Sequence, residues 1–232
     1  MARTAQPQTE RARDEAAPSP AADRLSQAER AYLAIRRRLV LLDIRPGEVI
    51  AEAKLCAELG LGRTPVREAV KRLEHDRLVV SYPRRGTFAT SVDITELSEI
   101  TEIRLALEPL AARRAAELLN AERRRELAEL RHRLAGIPDD ADARSLMSWD
   151  LDVHRVVSRA GGSAHLADLL ERYSLLATRI WCLAIERMPG VAGHVRDHAE
   201  VLGAILAGDG ERAARLVAEH ITRFEAEIRR LL

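Results

Sequence analysis

From Leu25 onward the apolar positions Ala28, Ala31, Tyr32, Ile35, Leu39 and Leu42 recur at steps of three and four residues, the mark of a helix with one buried face. The stripe stops before Arg45-Pro46-Gly47, which reads as a turn. Helical period resumes over Glu52 to Leu59, where Gly60 ends it, and again after Thr64-Pro65, with Val66, Ala69, Val70 and Leu73 on one side. Thr64 is expected to cap the first amides of this third helix, and Pro65 suits its first turn. The period then shortens to two. Leu78 to Tyr82 and Thr87 to Thr90 are β-like runs around Pro83-Arg84-Arg85-Gly86, which predicts a hairpin. Three helices and a hairpin make a winged helix-turn-helix over residues 22–92.

Beyond Val92-Asp93 the helical period returns and stays. Helices are expected near 94–119, 121–135, 143–160, 164–187, 193–207 and 210–231, punctuated at Gly136-Ile-Pro138, Gly161-Gly162, Pro189-Gly190 and Gly208-Asp-Gly210. The expected fold is therefore mainly α: a winged helix-turn-helix followed, over residues 93–232, by an all-α bundle of about six helices. Residues 1–21, with Pro7, Pro18 and Pro20 and no apolar period, read as a disordered tail.

Composition narrows the class. Aromatic residues are only 3% of 232, so Leu, Ala, Val and Ile must fill the core, as suits helices. No apolar run of about 18 residues and no secretory signal is present, so no membrane partner and a cytoplasmic location are expected. Cys56 and Cys182 have no CxxC spacing and read as buried small hydrophobes. The net charge of +1 hides a split: residues 22–92 carry 14 Lys and Arg against 9 Asp and Glu, whereas residues 93–232 carry 20 against 24. A basic first half and an acidic second half favour a polyanion as partner of the first half alone.

The chemistry of that half agrees. Donors on the first turns of a recognition helix enter the major groove, where Arg reads guanine O6 and N7 in pairs. Arg63 stands at the helix entry, Arg67 one turn later on the same face, and the Thr64 hydroxyl can serve a phosphate there. Arg85 and Gly86 form the tip of the wing, where a long cation reaches backbone or minor groove. The same arginines also fit a solvated helix face. In the second half, Asp150 and His154 are four apart on one helix face, and His198 and His220 sit on the last two helices. Three imidazoles and a carboxylate suit Zn, Ni, Mn or Fe. Histidines in such helices also occur merely packed, capped or solvated. His194 is a competing ligand one turn before His198, and Asp152 a weaker alternative to Asp150. Trp149 and Trp181 read as core or pocket wall.

The series Arg45-Pro-Gly47, Leu59-Gly-Leu-Gly-Arg-Thr-Pro-Val-Arg-Glu-Ala-Val70, Arg72-Leu73 and Arg85-Gly86 resembles the GntR family of bacterial transcription regulators. The resemblance implies operator contacts by Arg63, Thr64, Arg67 and Gly86. Ala53 stands where some members place a DNA-contacting Arg. Farther on, Glu102-Ile-Arg104, Leu107-Glu108, Asp150-Leu-Asp-Val-His154, His198-Ala-Glu-Val-Leu202 and Glu219-His220-Ile221 resemble the FCD ligand-binding domain of the FadR-type branch. There the equivalents of Asp150, His154, His198 and His220 hold a divalent metal ion, and that of Arg104 helps bind a carboxylate effector. Arg104 is also placed for an ion pair with Glu108 one turn on. Val153 and Ser163 depart from the family's usual aromatic and Asn, and Ser163 can still cap the next helix. The resemblance implies a homodimeric regulator, a repressor on double-stranded operator DNA, tuned by a small organic acid. Its rivals are a metal-dependent hydrolase with a DNA-binding head, for which Asp152 and Glu200 would have to supply the base, and a regulator whose metal is purely structural.

Overall fold

The computed structural model describes residues 25–188 and 190–231, so the proline-bearing tail lies outside the described residues. The first three helices are α1, Gln27–Val40, α2, Glu52–Leu59, and α3, Arg63–His75. Ser26 caps α1 by accepting from the Glu29 amide, and Gly60 ends α2 in the left-handed conformation, at φ 63°. α3 starts two residues earlier than its sequence suggests. Gly62, in extended conformation, is the N-cap, so Thr64 lies inside the first turn and does not cap it.

Strands β1, Val79–Tyr82, and β2, Gly86–Ala89, pair antiparallel from Val79 opposite Ala89 to Tyr82 opposite Gly86. A third segment joins this wing. Val49 bridges Phe88, the Ile50 amide donates to the Thr87 carbonyl, and the Ala89 amide donates to the Glu48 carbonyl. The stretch after Arg45-Pro46-Gly47 therefore ties α1 to the hairpin, although its sequence has too few alternating positions to read as a strand.

A 3₁₀ turn at Ile94–Glu96, capped by Asp93, leads into α4, Leu97–Glu117. Then follow α5, Ala121–Ala135, α6, Ala143–Ala160, α7, Ala164–Ala184, α8, Val191–Leu206, and α9, Gly210–Leu231. α7 stops at Ala184 because Ile185–Arg187 tighten into a 3₁₀ turn. Ser163 does cap α7, accepting from the Leu166 amide. α4 is the central helix, packed on α6, α7, α8 and α9, while α5 lies against α8.

The apolar side chains form two main cores. One joins Ile35, Leu39, Val66, Leu73 and Leu78 beneath the wing; the other joins Leu127, Met147, Trp181, Leu202 and Ile221 inside the bundle. They exchange one residue each: Leu175 of α7 packs in the first core, and Leu41 packs in the second. Cys56 and Cys182 are half-buried rather than buried, and burial pushes the Cys182 thiol up to about 12. Trp181 is a wall of the bundle interior, as expected, but Trp149 is 40% exposed.

Candidate metal centre and nucleic-acid interface

Five helices bring one polar cluster into the apolar bundle. α4 supplies Arg104 and Glu108, α6 Asp150 and His154, α8 His194 and His198, and α9 His220, while Trp181 of α7 closes one side. All seven polar residues are buried, in a region where unpaired polar groups are costly. The helical period explains it. Asp150 and His154 lie on the stripe that also buries Met147, Val153 and Val157, so packing that stripe necessarily turns both inward. His220 shares its stripe with Val217, Ile221 and Phe224 in the same way.

The sequence-expected set of four converges. Asp150, His154, His198 and His220 each offer one ligand atom, and these atoms lie within 4.8 Å of one another. The span across one ion with bonds near 2.1 Å is only slightly smaller, about 4 Å. Proton placement makes the fit sharper. His154 Nδ1 lies 3.0 Å from Glu108 Oε2, and His198 Nδ1 lies 3.2 Å from the Val195 carbonyl. Both Nδ1 atoms face acceptors and so carry a proton, which makes Nε2 the metal-binding nitrogen of each ring when it is neutral. Yet those two Nε2 atoms face each other at 3.3 Å. A contact of that length is satisfied by a second proton on His154, donated to His198, or by a cation between the two rings, and Arg104 Nη2 lies 3.3 Å from His154 Nε2. Asp150 Oδ1 and His220 Nδ1 are buried and have no hydrogen-bond partner, and the donor set therefore fits a divalent ion.

The electrostatics separate the four imidazoles. Burial pulls the imidazoles of His194 and His198 down to about 3 and about 4, and pulls His220 well below its usual value, so all three stay neutral and available as ligands. For His154, burial is outweighed by the carboxylates of Glu108 and Asp150, which raise it. For Asp150, burial is likewise outweighed, by His154 first and then His198, and its carboxyl stays ionised.

Glu108 has a role that its sequence spacing alone did not reveal. It accepts from Arg104 Nε at 2.5 Å and from His154 Nδ1, so it orients a candidate ligand imidazole from behind. The sequence signals were its four-residue spacing from Arg104 and its place in the FCD-like series, neither of which points to His154. The pair they form is buried, with side chains 7% and 5% exposed, rather than on the helix surface. His194 touches the same cluster, with Nε2 3.7 Å from Asp150 Oδ1 and its ring 4.1 Å from that of His220, although it is not one of the four convergent donors. Asp152 points elsewhere: it pairs with Arg155 at 2.6 Å and is half-exposed. Glu200 is exposed, so neither carboxylate serves as a base at this cluster.

At the other end, Arg63, Thr64 and Arg67 are all exposed on the first two turns of α3, where backbone amides and the helix dipole favour an anion. Arg67 pairs with Glu52 of α2 at 3.2 Å, an exposed contact of little strength that a phosphate or base edge can displace. Arg85 and Gly86 are exposed at the wing turn, with Arg84 at φ 63° and Gly86 at φ 99°. Both backbone positions are left-handed, and only Gly takes the second without strain.

Comparison with known proteins gives concordant matches. Residues 27–89 match the family described as bacterial regulatory proteins, gntR family, and residues 99–223 match the FCD domain. The HTH-type transcriptional repressor RspR of Escherichia coli (strain K12) is 22% identical over 200 residues, 86% of this chain and 88% of that protein. The HTH-type transcriptional repressor GlaR of the same organism is 26% identical over 198 residues, covering 82% and 90%. The solved structure of E. coli McbR/YncC shares the fold with a TM-score of 0.77 at 22% identity, covering 89% of this chain and 98% of that one.

Proposed function

Because this chain belongs to the GntR family of bacterial regulatory proteins and carries an FCD domain, it is a transcription regulator and not an enzyme, and we propose that it is a metal-dependent repressor. It acts as a homodimer whose two winged heads, residues 22–92, read the half-sites of a near-palindromic operator. Arg63 and Arg67 contact base edges or phosphates, Thr64 a phosphate, and Arg85 and Gly86 bring the wing to the backbone. Residues 93–232 form the sensing and dimerisation half.

Asp150, His154, His198 and His220 hold a divalent ion. A bound ion of this kind supplies a Lewis-acidic anchor for a small carboxylate. Glu108 orients His154, burial keeps the remaining imidazoles neutral, and Arg104 lends its guanidinium to the acid. An acid preferred by one arrangement of the heads shifts operator affinity by the coupling energy, typically about 1–3 kcal/mol. The observation that carries this reading is the convergence of four ligand atoms within 4.8 Å of one another, two of them, Asp150 Oδ1 and His220 Nδ1, buried without a hydrogen-bond partner.

Elemental analysis of protein purified without a polyhistidine tag, after reconstitution with Zn, Ni, Mn or Fe, tests it. One equivalent in the wild type and trace amounts in His198→Ala are expected; trace amounts in both would remove the metal. A second reading, that the ion only clamps the bundle, is favoured by the two cavities beside the cluster, each about 10 Å³, room for an ion or a water but not for an organic acid. It is distinguished by chelation: loss of fold without any carboxylate binding in the loaded protein supports the clamp.

A further inference from the structure

A larger space lies away from the metal cluster. Between α1 on one side and α6 and α7 on the other is a cavity of about 210 Å³, larger than the roughly 150 Å³ that suffices for a benzene-sized guest. It shares Leu33, Arg36, Arg155 and Glu171 with a wider groove at the surface, so it has an entrance. Leu33, Val40 and Leu41 line it from the DNA-binding half, and Leu151 and Leu175 from the bundle.

The polar groups around this apolar floor are unevenly committed. Arg36 is paired with Glu171 at 2.5 Å and Arg155 with Asp152 at 2.6 Å. Arg37, exposed at the rim, has no ion pair among the described residues. Three guanidiniums thus face two carboxylates, leaving one cation uncompensated. Ser174 is 5% exposed, lines the cavity, and its hydroxyl enters none of the hydrogen bonds among the described residues. A hydroxyl that borders open space with no protein partner is available to a ligand.

We propose that this seam is a second ligand site, separate from the metal cluster, for an organic acid of single-ring or short-chain size. The carboxylate pairs with Arg37, the apolar body lies against Leu33, Leu151 and Leu175, and the Ser174 hydroxyl meets the ligand from the wall. An apolar body is required because most of the floor is aliphatic, and a bare anion would leave it wet. The site spans both halves of the chain, so its occupant touches the DNA-binding head directly rather than through the bundle.

Calorimetric titration of the full chain with benzoate, as purified and with added zinc, tests the site. Saturable binding that is the same in both samples is expected. Arg37→Gln, which removes one charged partner, weakens it roughly tenfold. Ser148→Phe, at a half-buried wall position, fills the cavity and abolishes it, with the fold checked by circular dichroism. Inorganic phosphate neither binds nor competes. The site is overturned if benzoate does not saturate, if its binding requires zinc, if phosphate displaces it, or if Arg37→Gln binds as the wild type does. The last test stands even where Ser148→Phe fails to fold.

Discussion

His154 is gripped from two directions: Glu108 takes its Nδ1 proton while Asp150 and His198 crowd its Nε2. A neutral amide in place of Glu108 can still accept that proton but lacks the charge that raises the imidazole's basicity. Glu108→Gln is therefore expected to lower metal affinity about 10- to 100-fold, measured by competition with a chromophoric chelator. Unchanged affinity would mean that Glu108 serves only Arg104. On α3, the proposed DNA contact of Arg67 would replace only its pair with Glu52, which is exposed and weak. Arg67→Ala is expected to cost about 1–3 kcal/mol on operator DNA and to relax sequence preference, read by gel shift against random duplex. Equal loss on both duplexes would assign Arg67 to a phosphate.

At the scale of elements, the wing and α7 carry the consequences. Gly86 opens β2 at φ 99°, a backbone region closed to β-branched residues, and nothing crowds the position a side chain would take. Gly86→Val should therefore distort the wing turn through its backbone alone. Operator binding is expected to fall while the melting temperature of the bundle stays unchanged, and calorimetry with gel shift separates the two.

α7 faces both ways. Ala177, Thr178 and Trp181 look toward the histidine cluster, while Arg179, 2% exposed, reaches Thr90, just after β2. Its Nη1 donates to Thr90 Oγ1 at 2.6 Å and its Nη2 to the Thr90 carbonyl at 2.8 Å. Burial pulls this guanidinium down to about 10, so the cation depends on Thr90 for compensation. Thr90→Val removes one acceptor from a buried charge and is expected to destabilise the protein by about 1–3 kcal/mol in urea titration.

For the whole molecule, a metal that binds only the folded bundle must raise its stability. At a free-ion concentration of 100 times Kd the gain is about 2.7 kcal/mol, visible as a higher melting temperature that returns to the metal-free value on chelation. No change in melting temperature on loading would mean that the folded bundle does not bind the ion selectively. The two halves meet through Arg36 with Glu171, Arg144 with Asp43, and the exchanged Leu41 and Leu175. A contact of this kind, polar at the rim and apolar inside, holds the head against the bundle while leaving a cavity that a ligand can occupy.

Period and punctuation settled the elements: a 3.6-residue stripe with glycine and proline stops predicts α5, α6 and α9 to the residue, because those signals are local. Helix spacing placed Asp150 and His154 on one face for the same reason. The Gly62 cap, the Val49 bridge and the early end of α7 escaped it, since each depends on what packs against the segment. The pairing of His198 and His220 with α6 rested on resemblance, because no helical period relates residues on different helices. Only the tertiary structure made Glu108 the buried partner of both Arg104 and His154, turned Asp152 and Glu200 away from the cluster, and left a cavity between α1 and α7. The reason is physical. Sequence period fixes which way a side chain leaves its own helix, but burial, proton position and empty space are set by the helices that close around it.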